Sequence, residues 1–292
     1  MEKRDLTTGA LIPAFGAGGV VTSNPSGSFD GPYDIAVDAT GIYVVGDDQI
    51  PGNSQWRIEK RDLTNGNLLW VQTSNPSAQD DTARGVAVDS SGIYVVGVRE
   101  VWVWDNDWYM EKRDLTNGNL LWTKTSNPSG DNIDEANGVT VDSSGIYVVG
   151  FISLLGEGNI GWRIEKRDLT GNVLWEKISS SSGADSAGGV TVGSNGIYVV
   201  GSDNAPGNAQ WRIEKRESGG GGGPGGVDCG LRAFDGTSTS TVTIDCENPA
   251  VSPLRVQKGA TTYGLNLVDP ADANASRIRL QTPAGLKALR RQ

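Results

Sequence analysis

A six-residue string, Gly-Ile-Tyr-Val-Val-Gly, occurs four times in this chain of 292 residues, beginning at Gly41, Gly92, Gly145 and Gly196. Successive copies are 51, 53 and 51 residues apart. A catalytic motif is needed once per site, whereas a packing motif is needed once for every unit that it builds. The string therefore predicts a repeat architecture with a period near 50 residues.

Each repeat contains four segments with the character of β-strands. GVAVD, IYVVG, WRIEKRD and LLWVQTS are short and rich in β-branched and aromatic residues, and they are separated by turn sequences such as DSSG and TNGN. Nothing in the repeat has the apolar periodicity of a helix. A four-stranded antiparallel unit of about 50 residues is a β-propeller blade. The sequence therefore predicts an all-β fold, a β-propeller of four visible blades.

The repeat resembles a known family. The pairing of GVAVDSSGIYVVG with WRIEKRDLTNGNLLW is similar to the short β-propeller repeat, the SBBP type, of bacterial and archaeal secreted and surface proteins, over roughly residues 1–216. The resemblance implies that GVAVD lies beside the channel and LLWVQTS lies outermost, and it implies an extracellular or cell-surface location. Members commonly have more than four blades. The start of the chain lacks a secretory signal, so the protein either stays in the cell or is a mature or truncated form. Residues 2–7 repeat the middle of a unit that is complete from Glu59, which favours the second option.

The ends of the repeat region suggest how the ring closes. The last unit stops after WRIEKRE, before an outer strand, whereas residues 10–15 have the position of an outer strand with no inner strands ahead of them. One segment completing the other closes a four-bladed ring and removes the exposed sheet edges. Two alternatives stay open, an open fragment of a larger propeller and two chains that combine into a larger ring.

The composition changes after the repeats. Residues 1–217 form the predicted propeller, residues 218–226 (SGGGGGPGG) a flexible linker, and residues 227–292 a small β-sandwich or barrel of short strands. Cys229 and Cys246 are either a disulfide, which stabilises so small a core, or two buried thiols. Asn274 begins an Asn-Ala-Ser sequon.

Composition excludes several classes of function. The chain has no His and two Cys, so His-based triads and most zinc or copper sites are excluded, and we predict neither a metal nor a cofactor. A net charge of −10 argues against a nucleic-acid partner. No apolar run is long enough for a transmembrane helix.

Residues that recur from unit to unit are predicted to be structural. Asp38, Asp89 and Asp142 begin turns, although carboxylates in a ring also suit a calcium ion; the fourth unit has Gly193 at this position, which disfavours a symmetric ring. The EKRD charges, as at residues 165–168, are predicted to face outward in exposed ion pairs. Six recurring tryptophans are predicted to pack between blades: Trp56, Trp70, Trp122, Trp162, Trp175 and Trp211.

Residues that do not recur are the candidates for function. The connection in the second unit, VREVWVWDNDWYM, supplies six aromatic and acidic residues that suit a sugar ring or a protein partner: Trp102, Trp104, Asp105, Asp107, Trp108 and Tyr109. The alternative is a lengthened hairpin that packs on its neighbour. Acidic loops offer carboxylate pairs suited to glycosidic bonds, namely Asp80, Asp81, Asp131, Asp134 and Glu135.

The sequence thus favours a non-catalytic extracellular or cell-surface binding or adhesion scaffold, whose partner is a protein, a glycan or a copy of itself. The alternative is a structural subunit of a filament or surface layer assembled through residues 227–292. A polysaccharide-active enzyme is a third and less favoured prediction.

Overall fold

The computed structural model describes residues 1–50, 52–130, 132–153, 160–179, 183–204 and 208–216, together with six short strands between residues 232 and 288. The chain divides into two compact units, Met1–Arg216 and Glu217–Gln292. Every regular element among the described residues is a β-strand. The predicted all-β class is confirmed, and no helix in this part of the chain is long and apolar enough to cross a membrane.

The first unit contains four consecutive antiparallel sheets, here called sheets 1 to 4, in which strands that follow each other along the chain are paired. Sheets 1, 2 and 3 have the orders β1-β2-β3-β4, β5-β6-β7-β8 and β9-β10-β11-β12, and sheet 4 has the order β13-β14-β15. The strands are β1 Gly31–Asp38, β2 Gly41–Asp48, β3 Gln55–Arg61, β4 Leu68–Ser74, β5 Thr82–Asp89, β6 Gly92–Trp102, β7 Asp105–Arg113, β8 Leu120–Ser126, β9 Glu135–Asp142, β10 Gly145–Ser153, β11 Ile160–Arg167, β12 Val173–Ser179, β13 Ser186–Gly193, β14 Gly196–Asp203 and β15 Gln210–Arg216.

Aspartate side chains close the turn between the first two strands of sheets 1 to 3, as predicted. Asp38 Oδ1 accepts hydrogen bonds from the backbone N–H of Thr40 at 2.7 Å and of Gly41 at 3.0 Å. Asp89 accepts from Ser91 N at 2.7 Å, and Asp142 accepts from Ser144 N at 2.8 Å. These carboxylates therefore satisfy backbone donors of the turns that they begin.

The last glycine of each GIYVVG string is required by a close backbone approach. A Cβ added to Gly97 would lie 2.1 Å from the carbonyl oxygen of Thr82, on the neighbouring first strand. The same addition at Gly150 would lie 2.0 Å from the carbonyl oxygen of Glu135. Each site coincides with a register shift between the first two strands, so a side chain there would break the pairing.

The cores lie between adjacent sheets. Between sheets 1 and 2, Tyr43, Val45, Trp56 and Ile58 pack against Ala83, Val86, Ile93 and Val95. Equivalent residues form the clusters between sheets 2 and 3 and between sheets 3 and 4. The first strands of neighbouring sheets also contact each other, β1 with β5, β5 with β9 and β9 with β13. Sheets 2 and 3 therefore each have one face toward the next sheet and one face toward the previous sheet.

The prediction that the EKRD charges are exposed is wrong for the Glu, Lys and Arg of sheets 1 to 3, including residues 165–167, which are all buried. Glu111 is fully buried, and both Arg113 Nε and Nη2 approach its Oε2 at 2.7 Å. Glu111 Oε1 also accepts a hydrogen bond from Ser74 Oγ of sheet 1, and Arg113 Nη1 donates to the carbonyl oxygen of Gly118. The glutamate and arginine lie on the strand face that the previous sheet covers, which removes both from solvent.

The predicted pairing of residues 10–15 with the fourth unit is not present among the described residues. Sheet 4 has three strands, and its Trp211 is 92% exposed. The N-terminal segment packs instead on sheet 1, where Phe15 is fully buried and Lys3 Nζ donates to the carbonyl oxygen of Leu63 at 2.7 Å. The described residues therefore form four adjacent sheets without a closed ring.

In the second unit the described strands form three two-stranded antiparallel pairs. These are β16 Arg232–Phe234 with β17 Thr239–Thr241, β18 Arg255–Lys258 with β19 Thr261–Gly264, and β20 Arg279–Thr282 with β21 Gly285–Ala288. The predicted linker, Cys229, Cys246 and Asn274 lie outside the described residues. The disulfide, its free-thiol alternative and the sandwich or barrel architecture stay predictions.

Candidate functional site

The connection between β6 and β7 is a tight hairpin that extends beyond the pattern of the other sheets. β6 has 11 residues and β7 has 9, against 8 and 7 for β2 and β3. Trp102 pairs with Asp105, so that only Val103 and Trp104 form the turn. We call Trp102, Val103 and Trp104 the hairpin tip.

The hairpin tip is apolar and exposed. Trp102 and Val103 are each 69% exposed, and Trp104 is 75% exposed. Trp104 has φ of +73° and is the one residue other than glycine with positive φ among the described residues. A bulky side chain in this region costs of order 1–2 kcal/mol, and such strain concentrates at functional positions. The turn therefore presents two indoles to solvent at a cost in local stability.

The base of the hairpin is anchored on sheet 3. Asn106 N donates to the carbonyl oxygen of Asn132 at 3.1 Å, and Asp134 N donates to the carbonyl oxygen of Asn106 at 2.8 Å. Asn106 Nδ2 also donates to Glu135 Oε1 at 3.3 Å. The tip therefore extends from a backbone position that two neighbouring sheets fix.

The two aspartates of the predicted site are buried beneath the tip. Asp105 is 8% exposed and Asp107 is 4% exposed, and the Oδ1 atom of each has no hydrogen-bond partner in the described part of the chain. Burial raises the pKa of Asp107, while Arg99 opposes the shift with Nη1 3.8 Å from Asp107 Oδ2. These carboxylates are therefore not presented to a ligand that contacts the exposed tip.

Trp108 lies between sheets and not at the tip. It is 3% exposed, its Nε1 donates to the carbonyl oxygen of Phe151 at 2.9 Å, and the Arg163 guanidinium lies 4.7 Å from its ring centroid. Trp56 and Trp162 donate in the same way to Val98 and Ser202. Trp108 is therefore the sheet 2 copy of the recurring WRI tryptophan, in a unit where Tyr109 and Met110 replace Arg and Ile.

Tyr109 belongs to the preceding interface. Its ring lies edge-on to Trp56 with centroids 5.3 Å apart, in the place that Arg163 occupies beside Trp108. Burial raises the pKa of its hydroxyl. The six candidate residues are therefore divided among an exposed tip, a buried acidic layer and two interfaces between sheets.

The carboxylates considered for catalysis are used inside the sheets. Asp81 is fully buried, where its oxygens accept hydrogen bonds from Ser77 N, Ser77 Oγ and Glu100 N. Asp134 has the equivalent partners, Ser129 N, Ser129 Oγ and Ser153 N. Burial raises the pKa of both aspartates.

The other members of that acidic set also have partners where they are described. Asp80 Oδ1 accepts from Ser54 N at 2.7 Å, and Glu135 pairs with Arg84 at 3.0 Å. Asp131 lies outside the described residues. Over the ranges that the structure describes, no three His, Cys, Asp or Glu side chains converge as a metal site requires.

Comparison with known proteins adds no family assignment, since no family model matches the chain and a search of curated proteins finds no match. The residues of the chain are therefore the whole basis for assigning its function.

One part of the surface was not foreseen from the sequence, the exposed position of Trp211 and of its neighbours on sheet 4. The recurrence of Trp211 predicted burial, but a recurring residue is buried only where a following sheet covers it.

Proposed function

We propose that this protein is a non-catalytic binding scaffold of the β-propeller type, in which the stacked sheets hold the hairpin tip in place for a protein partner. The single observation that carries the proposal is the pair of exposed indoles, Trp102 and Trp104, on a strained turn with an anchored base. Loops on a rigid scaffold are the usual place for recognition residues.

A protein partner is favoured over a glycan by the polarity of the tip. Sugar recognition combines an aromatic plane with polar groups that bind hydroxyls, and the nearest carboxylates, Asp105 and Asp107, are buried. The exposed side chains at the tip are Trp, Val and Trp, and tryptophan is enriched among the few residues that dominate binding in protein interfaces. The tip therefore suits an apolar pocket or groove on another protein.

The setting of this interaction is part of the proposal. The resemblance to short β-propeller repeats supports an extracellular or cell-surface location. The net charge of −10 disfavours nucleic acid as the partner. The scaffold then serves adhesion or assembly at a surface.

The proposal is tested with the double variant Trp102→Ser, Trp104→Ser. Any protein that the wild type retains from a cell-surface extract is purified, and its affinity is measured by isothermal titration calorimetry. We expect at least a roughly 100-fold loss of affinity in the double variant, because hot-spot tryptophans contribute about 2 kcal/mol or more each. The matched control is Trp211→Ser, which removes an exposed indole on another face and should keep the wild-type affinity of each chain for the partner.

Equal affinity in the double variant would contradict the proposal. A glycan array tests the competing ligand. If the wild type binds a glycan saturably and the double variant does not, the ligand of the hairpin tip is a sugar and not a protein.

Structural assembly is the second candidate function. The observation that favours it is the exposed face of sheet 4 around Trp211, because the same face of the other three sheets is covered. Assembly through residues 227–292 predicts large particles that disappear when those residues are removed, as measured by light scattering.

A further inference from the structure

Sheet 4 exposes the face that sheets 1 to 3 bury against the following sheet. Sheet 1 exposes much of the face that sheets 2 to 4 bury against the preceding sheet. On sheet 4, Trp211 is 92% exposed and Ile213 is 71% exposed, whereas the equivalent Trp56 and Ile58 of sheet 1 are fully buried. We call Tyr198, Val200, Trp211 and Ile213 the open face of sheet 4. These positions match Tyr43, Val45, Trp56 and Ile58, which pack against sheet 2.

On sheet 1 the opposite face has no neighbouring sheet among the described residues, and the N-terminal segment covers only part of it. Ile35 is 51% exposed, whereas the equivalent Val86 of sheet 2 is 5% exposed. We call Pro32, Ile35, Val37 and Val44 the open face of sheet 1. In register, Pro32, Ile35 and Val44 match Ala83, Val86 and Val95, which receive the apolar face of sheet 1.

A cavity lies between the open face of sheet 1 and the N-terminal segment, at the position where the other interfaces hold a tryptophan. The cavity has a volume of about 260 Å³; sheet 1 contributes Pro32, Val44, Gly46, Asp47 and Arg57 to its lining, and the N-terminal segment contributes Met1, Val21, Thr22, Ser23 and Pro25. A cavity of about 150 Å³ accommodates benzene, so this volume is sufficient for an indole. The cavity therefore has room for the indole that the open face of sheet 4 presents.

The polar contacts of the buried tryptophans also have counterparts on sheet 1. The indole N–H groups of Trp56, Trp108 and Trp162 donate to the carbonyl oxygens of Val98, Phe151 and Ser202. In the strand register the matching carbonyl on sheet 1 belongs to Asp47, since Asp47 pairs with Trp56 as Val98 pairs with Trp108. An indole in the cavity therefore has an acceptor at the same place.

The stacking partner is present as well. The guanidinium of Arg163 lies 4.7 Å from the Trp108 ring centroid, and that of Arg212 lies 4.6 Å from the Trp162 ring centroid. Arg57 is the matching residue of sheet 1 and lines the cavity, held by Asp48 at 3.1 Å and Glu59 at 2.7 Å. A cation over an indole is a favourable pairing.

We propose that the open face of sheet 4 docks on the open face of sheet 1 of a second copy of this chain, with Trp211 in the cavity beside Arg57. Two copies related by a twofold axis form this contact twice and close a ring of eight sheets. Typical propellers have about four to eight blades, so the pair lies within the range that the architecture allows.

Docking requires the start of the receiving chain to move. Lys3 donates to the carbonyl oxygen of Leu63 as Lys60 donates to that of Leu115, and Arg4 pairs with Leu11 as Arg61 pairs with Leu68. Residues 2–4 therefore occupy the place that residues 214–216 of a docked copy take. Backbone hydrogen bonds from Lys3 N to Gly19 O and from Ile12 N to Lys3 O, single bridges and an ion pair between Arg4 and Glu2 hold them there, and docking replaces these contacts with those of residues 214–216.

The test is sedimentation velocity of the full chain over a wide range of concentrations. We expect a pair with twice the chain mass of 30.8 kDa. Trp211→Glu and Ile35→Glu each alter an exposed side chain, so each variant should fold, and each should sediment as a single chain. An equimolar mixture of the two variants should regain a pair, because one Trp211 face and one Ile35 face remain intact in it.

The matched control is Trp104→Glu, which changes an exposed indole at the hairpin tip and should leave the pair intact. Loss of pairing therefore reports on the open faces, whereas loss of partner affinity in the tip variants reports on the proposed function. A wild type of single-chain mass overturns the inference, as does a variant that keeps the paired mass. If the wild type sediments as an open-ended series of masses, the closed ring of two chains is overturned. The inference is also overturned if the equimolar mixture of Trp211→Glu and Ile35→Glu sediments only as single chains.

Discussion

Replacing the same tryptophan of two repeats tests how the sheets are held together. Trp162→Ala removes an indole that is fully buried, while Trp211→Ala removes one that is 92% exposed. Both residues precede Arg-Ile-Glu-Lys-Arg and occupy the same strand position. The comparison therefore varies the presence of a following sheet and keeps the residue type and the local sequence constant.

The expected cost at Trp162 follows from its contacts. Truncating a buried Trp to Ala costs about 3–5 kcal/mol through lost transfer energy and cavity formation. The variant also loses the hydrogen bond from Nε1 to the carbonyl oxygen of Ser202 at 2.9 Å and the cation–π contact with Arg212. We expect the free energy of unfolding to fall by about 4 kcal/mol in Trp162→Ala. Surface substitutions stay within about 0.5 kcal/mol, which is the expectation for Trp211→Ala in unpaired chains.

The assay is urea unfolding followed by far-ultraviolet circular dichroism, at concentrations where the chains are unpaired. For slopes of about 1–3 kcal/mol per molar urea, the Trp162→Ala midpoint should fall by more than about 1 M. The Trp211→Ala midpoint should equal that of the wild type. Equal losses in the two variants, or a loss below about 1 kcal/mol at Trp162, would refute the account of packing between sheets.

Three further substitutions test two effects of pH on stability and one effect of backbone strain. Hydrogen bonds led by that from the Thr170 hydroxyl lower the Asp168 pKa to about 2, so its stabilising effect is present above the ordinary value of 3.8 and is lost as pH falls toward 2. The stability gap between wild type and Asp168→Asn in thermal melts should therefore narrow as the pH falls, and a constant gap would contradict this. Burial raises the Asp81 pKa, so the stability that its protonated form contributes is complete below pH 3.8 and declines as pH rises through the folded pKa. The stability difference between wild type and Asp81→Asn should therefore narrow as pH rises, and a difference that widens with pH would refute this. Trp104→Gly relieves the left-handed backbone and should raise the free energy of unfolding by about 0.5–1 kcal/mol, whereas a loss of stability would show that the indole packs.

The strand order and the turns were predictable from the sequence. Apolar segments of five to seven residues separated by Asp- and Gly-containing turns leave little choice besides antiparallel meanders. Asp38 and its equivalents bond backbone donors within three residues, so a local pattern was enough to assign them.

Which strand faces are covered was not predictable in the same way. The alternation in WRIEKRD indicates two faces, but whether Glu111 meets water or another sheet depends on contacts between units about 50 residues apart. The assumption of an exposed face gave the wrong prediction for the EKRD charges. Whether the sheets close into a ring was not predictable for the same reason, since the angle between packed sheets is set by all interfaces together.

The candidate site was chosen for its lack of repetition, which selected two exposed residues, Trp102 and Trp104, and one residue buried between sheets, Trp108. The signal for Trp108 was present in the sequence, because WYMEKR aligns with WRIEKR once the shared EKR is used as the anchor. The burial of Asp105 and Asp107 arises from the anchored base of the hairpin, which has no local sequence signature.

The most direct test of the account is the solvent accessibility of the nine tryptophans, because it separates the residues of the frame from those of the hairpin tip. The chain labelled with 5-fluorotryptophan is assigned by single substitutions, and a soluble gadolinium chelate is added during fluorine NMR. The account predicts strong broadening of the Trp102 and Trp104 signals and little broadening for Trp56, Trp108 and Trp162. Broadening of Trp108 together with Trp104 would contradict it, since Trp108 would then belong to an exposed site and not to the packing between sheets.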